Sequence, residues 1–252
     1  MPRRRQGPRS ALMASPQAMH AAVLSGTNYH PDPGRSLWRL EPNQHRPHLL
    51  VVTQVEPDWT ALVEQAGWAV KAPEAQPAVA DYKVLLDRLR AGQRYRFRLS
   101  AVPMRSVITP ERRGRNEEGR FSHRGRRTPL RAPIEQLDWV RGQGARHGFM
   151  LRDAPVPQTL APGIDPLSLA EEPAAMAPDV QIVRRDVANF GKGTKDRNGE
   201  TNGRGRVTIC PVLFEGTMTV TDPAALTRAL LEGIGSGKAY GAGLLTLARA
   251  EA

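Results

Sequence analysis

The segment RYRFRLSAV, residues 94–102, restricts the fold most, because its side chains alternate in character along most of its length. Three Arg side chains share one face of an extended chain, and aromatic or aliphatic side chains occupy the other face. An alternation with a period of two residues is typical of a β-strand that buries one face. We therefore predict a strand here, with one polar face and one buried face.

The residues before this strand predict a helix, two strands and a second helix. Ser15 suits an N-cap, Pro16 fits the first helical turn and Gly26 suits the end of a short helix. The two strand-like segments and the second helix follow at residues 37–40, 48–53 and 58–65. This order is that of a ferredoxin-like βαββαβ unit without its first strand.

We therefore predict an N-terminal ferredoxin-like domain at residues 1–109. The segment PRRRQGPRSALM, which precedes the first helix, does not have the pattern of a strand. The first strand is central in this fold, and its loss would leave an exposed sheet edge. We expect the true start codon to lie upstream.

The second half predicts another unit of the same kind. Residues 110–128 are basic and lack an apolar period, so we expect a mobile loop between domains. Residues 129–252 contain a helix, the strand-like GFML, a poorly specified insertion at 153–180 and strands on either side of a Gly- and Lys-rich loop at 189–205. Asp222 caps a second helix, and LLTLA closes the unit. The predicted fold class is α+β, with two tandem ferredoxin-like (RRM-like) domains.

The charge of the chain favours a polyanionic partner. The formal net charge is +11, and of 36 basic residues 31 are Arg and 5 are Lys. Codon bias of a GC-rich genome explains most of the Arg-to-Lys ratio, but it would scatter Arg evenly. Instead, residues 112–131 carry a net +6 and residues 184–206 a net +4. A solvated loop is the ordinary explanation for a charge run, yet two such runs favour nucleic acid.

Several classes of protein lack support. A single cysteine, Cys210, permits neither a disulfide framework nor a paired-cysteine zinc site. We expect no metal and no cofactor, since the sequence has no metalloprotease, Walker A or dinucleotide motif. It also has no apolar run of about 18 residues and no signal peptide. We expect a cytoplasmic protein that does not bind a membrane.

Two features are candidates for chemistry. His20 lies on the first predicted helix at the margin of its apolar face, and its sequence alone favours a partly buried structural His. The loop GIGSGKAYGAG, residues 233–243, places five Gly and Lys238 between a helix and a strand. Such a loop can approach phosphates closely through backbone N–H groups, or it can simply be a tight connection.

Four segments in order resemble one family. SPQAMHAAV, RYRFRLSAVP, FEGTMTVTDPAAL and above all GIGSGKAYGAGLLTLA look like CasE, the repeat-RNA endoribonuclease of type I-E CRISPR systems, which act in antiviral defence. The resemblance covers most of the chain, and the C-terminal block is its most specific part. It implies two tandem ferredoxin-like domains.

The resemblance also implies an activity. Members cut the repeat transcript at the 3′ base of its hairpin, retain the mature guide RNA and join the other protein subunits of Cascade. Their catalytic His lies at the position of His20. The residues that the resemblance implies for RNA binding are Arg204, Arg206, Gly233, Gly235, Gly237, Lys238, Gly241 and Gly243. We further predict that the basic loop contacts stem phosphates through residues that include Arg112, Arg113, Arg126 and Arg127.

The sequence departs from the family at the missing first strand and at Gln17, where members commonly carry Tyr three residues before the catalytic His. Without a metal, an RNA 2′-OH can attack the adjacent phosphate and leave a 2′,3′-cyclic phosphate and a 5′-OH. His20 would act as base or acid. A noncatalytic RNA-binding subunit of the same complex, which Gln17 favours, and an unrelated basic RNA-binding protein are the alternatives.

Overall fold

The computed structural model describes residues 12–13, 15–41, 47–66, 77–107, 125–155, 176–195 and 201–250, with the backbone alone at 191–195 and 201–206. It is a mixed α/β fold, and its strand pairs are antiparallel. The helices are α1 (Pro16–Ser25), α2 (Thr60–Gln65), α3 (Lys83–Leu86), α4 (Pro133–Arg146) and α5 (Pro223–Glu232), and a 3₁₀ helix spans Lys238–Tyr240. The strands are β1 (Leu37–Glu41), β2 (His48–Val52), β3 (Arg94–Ala101), β4 (Met104–Val107), β5 (Arg126–Pro129), β6 (Phe149–Leu151), β7 (Asp153–Pro155), β8 (Met176–Pro178), β9 (Val180–Arg185), β10 (Ala188–Lys195), β11 (Thr201–Ile209), β12 (Val212–Val220) and β13 (Leu245–Arg249).

The largest sheet of the described part has five strands. Four of them lie in the order β13-β3-β12-β6, and β9 also pairs with β12. Strand β3 is therefore flanked on both sides, and its Phe97 lies opposite Gly216 of β12 and Leu247 of β13. The predicted alternation is confirmed, since Phe97 and Leu99 are buried and the three Arg side chains of the strand are not. Helices α4 and α5 cover the apolar face.

Local signals explain where α5 begins and ends. The Asp222 carboxylate accepts hydrogen bonds from the backbone N–H groups of Ala224 and Ala225, at 2.9 and 3.0 Å. Gly233, with a φ of +78°, follows its last turn. Leu226 and Leu230 are fully buried on one face of the helix. Burying each such side chain contributes roughly 1.5–3 kcal/mol, so this face anchors the helix to the sheet.

The N-terminal part is smaller. Strands β1 and β2 form a two-stranded antiparallel sheet, and α1 packs on it. Met19 and Val23 of α1 contact Trp38 of β1, and these three buried side chains form a small core of their own. This core holds α1 against the hairpin.

The pairing of β3 differs from the strand order predicted for the first domain. We expected Arg94–Ala101 to complete the N-terminal unit, but it pairs with β12 and β13 from the second half of the chain. The apolar face of β3 supplies Phe97 and Leu99 to the core beneath α4 and α5, and that burial determines its partners. The limits of the domains, at residues 1–109, 110–128 and 129–252, stay predictions.

Three predicted loops contain strands. Strand β5 falls at the end of the predicted loop 110–128, the rest of which lies mostly outside the described residues. Strands β7 and β8 pair within the predicted insertion 153–180. The Gly- and Lys-rich loop at 189–205 is largely the β10–β11 hairpin. Backbone pairing thus overrides the low strand propensity of Gly and Lys in this segment.

Candidate functional site

His20 lies in the middle of α1. The helix begins where the Ser15 side chain accepts a hydrogen bond from the N–H of Ala18, at 3.2 Å, with Pro16 in the first turn. The His20 side chain is half-buried, and its Nδ1 atom is buried without a hydrogen-bond partner in the described part of the chain. Burial lowers the pKa of His20 below its ordinary value, so the ring is neutral near pH 7. Gln17, three residues earlier, is exposed.

Helix α1 packs against the loop at residues 233–243, the Gly-rich loop. It contacts the 3₁₀ helix within that loop and also strand β10. Trp38 joins the two elements: it packs on Met19 from α1, and its ring lies 2.6 Å from the point where a Cβ at Gly241 would be. The structure therefore brings His20 and the Gly-rich loop into one region.

The five Gly of the loop are required by its conformation. Each has a positive φ, between +78° and +94°, which L side chains rarely adopt. A Cβ at Gly237 would lie 2.9 Å from Val102, and one at Gly233 would lie 2.8 Å from Leu37. A tight helix-to-strand connection thus accounts for Gly233, Gly235, Gly237, Gly241 and Gly243. Their contact with RNA stays a prediction.

Lys238 gives the Gly-rich loop a charge. Its side chain is half-buried, and burial together with the nearby charge of Arg35 lowers the pKa of Lys238, although Glu232 acts to raise it. Burial, Lys238 and Arg146 lower the pKa of His147 in the same way. Positive groups from three segments therefore lie near one another: Arg35 before β1, Arg146 at the end of α4 and Lys238 itself. This concentration of positive charge suits a phosphate chain.

Two of the predicted RNA-binding Arg residues lie on β5. Arg127 donates a hydrogen bond from Nη1 to Ser236 Oγ of the Gly-rich loop, at 3.0 Å, and Arg126 is exposed beside it. Arg112 and Arg113 lie outside the described residues. The structure thus places one of these four Arg against the loop.

The β10–β11 hairpin carries the remaining two predicted RNA-binding Arg residues, Arg204 and Arg206. Arg206 lies opposite Gly191 in the pairing, and Arg204 lies opposite Gly193, although the structure describes only the backbone there. Nearer its base, the Phe190 ring packs on Tyr240 of the Gly-rich loop, with centroids 4.6 Å apart. The hairpin is therefore held against the loop that α1 also contacts.

A cavity of about 180 Å³ lies where these elements meet. Its walls include Pro16 and Met19 from α1, Trp38 and Arg39 from β1, and Tyr240 from the Gly-rich loop. The sequence interpretation did not single out the last three of these. The sequence does place Arg39 within the strand-like LWRL, where a charged residue among apolar neighbours is the one available signal.

The described part of the chain contains no group of three or more His, Cys, Asp and Glu side chains arranged to bind a metal ion. None of the helices that the structure describes is long and apolar enough to cross a membrane.

The chain belongs to a family of CRISPR-associated proteins, whose family model matches residues 1–249. It is 30% identical over 240 residues to the CRISPR-associated endoribonuclease Cse3 of Thermus thermophilus. The aligned region covers 94% of this chain and 91% of that relative. The expected resemblance to the CasE family is confirmed by this match.

Two solved structures are also similar. The structure of Cse3 bound to a 19-nucleotide RNA has a TM-score of 0.60 and 26% identity, and covers 96% of this chain and 94% of that one. The structure of Thermus thermophilus Cse3 bound to an RNA that represents a pre-cleavage complex also has a TM-score of 0.60 and 26% identity, with coverage of 96% and 93%.

Proposed function

We propose that this protein is a metal-independent endoribonuclease that cleaves CRISPR precursor RNA at the 3′ base of the repeat hairpin. The products end in a 2′,3′-cyclic phosphate and a 5′-OH, and the protein keeps the guide RNA as a subunit of Cascade in the cytoplasm. One observation carries the proposal: the helix with His20 packs on the Gly-rich loop beside the basic β10–β11 hairpin. This occurs in a chain 30% identical to a protein named endoribonuclease Cse3.

The finer fold that fits this proposal has two tandem ferredoxin-like units. In the second unit, the order β3, α4, β6, β12, α5, β13 is βαββαβ, and the sheet order supports it. The first unit would consist of α1, β1, β2 and α2, as the helix-strand-strand-helix order suggests. Assigning β3 to the second unit would move the proposed start of that unit from residue 129 to about residue 94.

In the proposed mechanism, His20 acts on the 2′-OH next to the scissile phosphate. Its Nδ1 is closed to solvent and the ring is only partly buried, so Nε2 is the nitrogen that exchanges a proton with RNA. A neutral imidazole removes the 2′-OH proton, the 2′ oxygen bonds to phosphorus, and the bond to the 5′ oxygen breaks. The departing oxygen takes a proton from water, and the hydroxide that remains accepts the proton held by His20, which restores the neutral ring. General base catalysis of this kind contributes about 10²–10⁴-fold.

Positive charge supplies the second part of the mechanism. Lys238 lies on the Gly-rich loop that α1 contacts, and Arg204 and Arg206 lie on the hairpin packed against that loop. We assign these three residues to the charge that develops on the phosphate oxygens. Exposed Arg126, Arg127 and the preceding basic residues Arg112 and Arg113 are assigned to the stem phosphates, because A-form RNA is recognised mainly through its backbone and shape.

The pH dependence of cleavage follows from the burial of His20. Because burial lowers its pKa, the ring is mostly neutral at about pH 7 and above, and it becomes protonated only as the pH falls through the lowered pKa. We expect the cleavage rate constant at subsaturating RNA to be flat above that pH and to fall under acidic conditions. A His30→Asn variant is the control, since His30 is exposed. A rate that increases on acidification would contradict the role of His20 as base.

The test of the function is incubation with a hairpin repeat RNA and with an unstructured RNA of equal length. We expect one cut, at the 3′ base of the hairpin, and none in the unstructured RNA. The second candidate, a noncatalytic RNA-binding subunit, is favoured by the exposed Gln17 in the position of the family Tyr. Tight binding of the hairpin without a cut would favour that candidate and contradict the proposed function.

A further inference from the structure

Arg39 is a buried charge with an unusual set of partners. Arg39 lies in the middle of β1, and the residue is 3% exposed. Its Nε donates to Glu41 at 2.7 Å, and its Nη2 donates to Thr246 Oγ1 at 2.9 Å. Its Nη1 reaches two backbone carbonyls, Leu244 O at 3.1 Å and Arg98 O at 3.2 Å. One side chain of the β1–β2 hairpin is therefore hydrogen-bonded to β3 and β13 of the five-stranded sheet and to the residue before β13.

A second Arg extends this network. Arg98 of β3 contacts Glu41 at 3.1 Å and donates from Nε to Glu215 of β12 at 2.6 Å. The Thr246 hydroxyl also lies within hydrogen-bond distance of Arg98 O, at 3.3 Å. We call Arg39, Glu41, Arg98, Glu215 and Thr246 the Arg39 clamp. It ties β1 to β3, β12 and β13 through directional bonds.

The clamp is joined to both halves of the proposed site through residues that neighbour it or accept from it. Trp38, the neighbour of Arg39, packs on the helix that carries His20 and also against Gly241. Leu244, whose carbonyl accepts from Arg39, directly follows Gly243 at the end of the Gly-rich loop. Apolar packing alone is nondirectional, whereas the planar guanidinium fixes both distance and angle. The clamp therefore sets where α1 sits relative to the loop.

We propose that Arg39 is a positioning residue for RNA cleavage, which holds the helix of His20 in register with the Gly-rich loop. The inference rests on the proposed function. A misplacement of about 1 Å between reacting groups can cost on the order of 10²-fold in rate. Binding should be affected far less, because the basic hairpin and β5 contact the Gly-rich loop without Arg39.

The test compares Arg39→Lys and Thr246→Val with the parent protein on a hairpin repeat RNA. Lys keeps the charge but loses the fork, and Val keeps the shape of Thr but removes the hydroxyl. We expect the single-turnover cleavage rate to fall by about tenfold to a hundredfold for Arg39→Lys and by a smaller factor for Thr246→Val. The Kd should stay within about threefold. Arg228→Lys, an exposed residue of α5, is the matched control and should match the parent.

A distance measurement supplies a readout that needs no activity. Nitroxide labels at Gln17→Cys on α1 and Ala224→Cys on α5, both exposed positions, report the placement of α1 in a Cys210→Ser background. We expect a narrow distance distribution in the parent and in Arg228→Lys, and a broader one in Arg39→Lys.

The outcomes separate the inference from the function on which it rests. A parent that cuts the hairpin and an Arg39→Lys variant that cuts at the same rate would overturn the positioning role alone. An unchanged distance distribution in Arg39→Lys would also overturn it. A parent that binds the hairpin without cutting it would contradict the proposed function, and the inference would fail with it.

Discussion

Replacing His20 with Ala is expected to slow RNA cleavage severely while leaving RNA binding intact. The imidazole is the proposed base, and general base catalysis contributes about 10²–10⁴-fold, so the single-turnover rate should fall by that factor. The half-buried ring makes a small contribution to the fold, and the neighbouring core residues Met19 and Val23 remain in place. The measurement is a cleavage time course with the protein in excess over both the hairpin RNA and the Kd.

His30→Ala is the matched control for this experiment. His30 is exposed, beyond the C-terminal end of α1, and its ring contacts the backbone of Asp32 within its own turn. It should cut at the rate of the parent. A His20→Ala variant that retained more than about a tenth of the parental rate would be inconsistent with His20 as the general base.

Replacing Arg39 with Met is expected to lower the free energy of unfolding by about 3–5 kcal/mol, because removing one partner of a buried ion pair leaves the other uncompensated. Here the Glu41 carboxylate loses its closest cation, and the carbonyl of Leu244 loses the donor at 3.1 Å. Arg98 remains beside Glu41 and limits the loss. Urea unfolding followed by circular dichroism measures the change.

The control for stability is Arg249→Met, which removes the same charge from an exposed position at the end of β13. Its effect should stay within about 0.5 kcal/mol, as for most surface substitutions. A loss below about 1 kcal/mol for Arg39→Met would mean that the buried network contributes little to stability, as some buried ion pairs do.

Elements with local signals were predictable from the sequence. The start of α1 at Ser15 and Pro16 and the start of α5 at Asp222 depend on caps and on neighbours within one turn. The partners of β3 were not predictable in this way. Arg98 pairs with Glu215 and Thr246, which are far away in the sequence, and nothing local to residues 94–102 specifies that pairing.

In the candidate site, too, some features follow from local sequence and others depend on residues that are distant in the sequence. Sequence position placed His20 at the margin of an apolar face, and its partial burial agrees with that placement. The resemblance, rather than the spacing of residues, supplied its proposed role. Arg39 was not identified, because its partners Arg98, Leu244 and Thr246 converge only in the folded chain. The glycines of the Gly-rich loop are plain in the sequence, but their positive φ angles are a property of the folded chain.

Metal-free attack by the 2′-OH is tested with a hairpin repeat RNA that carries a single 2′-deoxy substitution on the 5′ side of the scissile phosphate, in excess EDTA. We expect the unmodified RNA to be cut in EDTA and to leave a 2′,3′-cyclic phosphate and a 5′-OH. The 2′-deoxy RNA should bind with similar affinity and remain uncut. Cleavage of the 2′-deoxy RNA, or cleavage of the unmodified RNA only when a divalent metal is present, would rule out this mechanism.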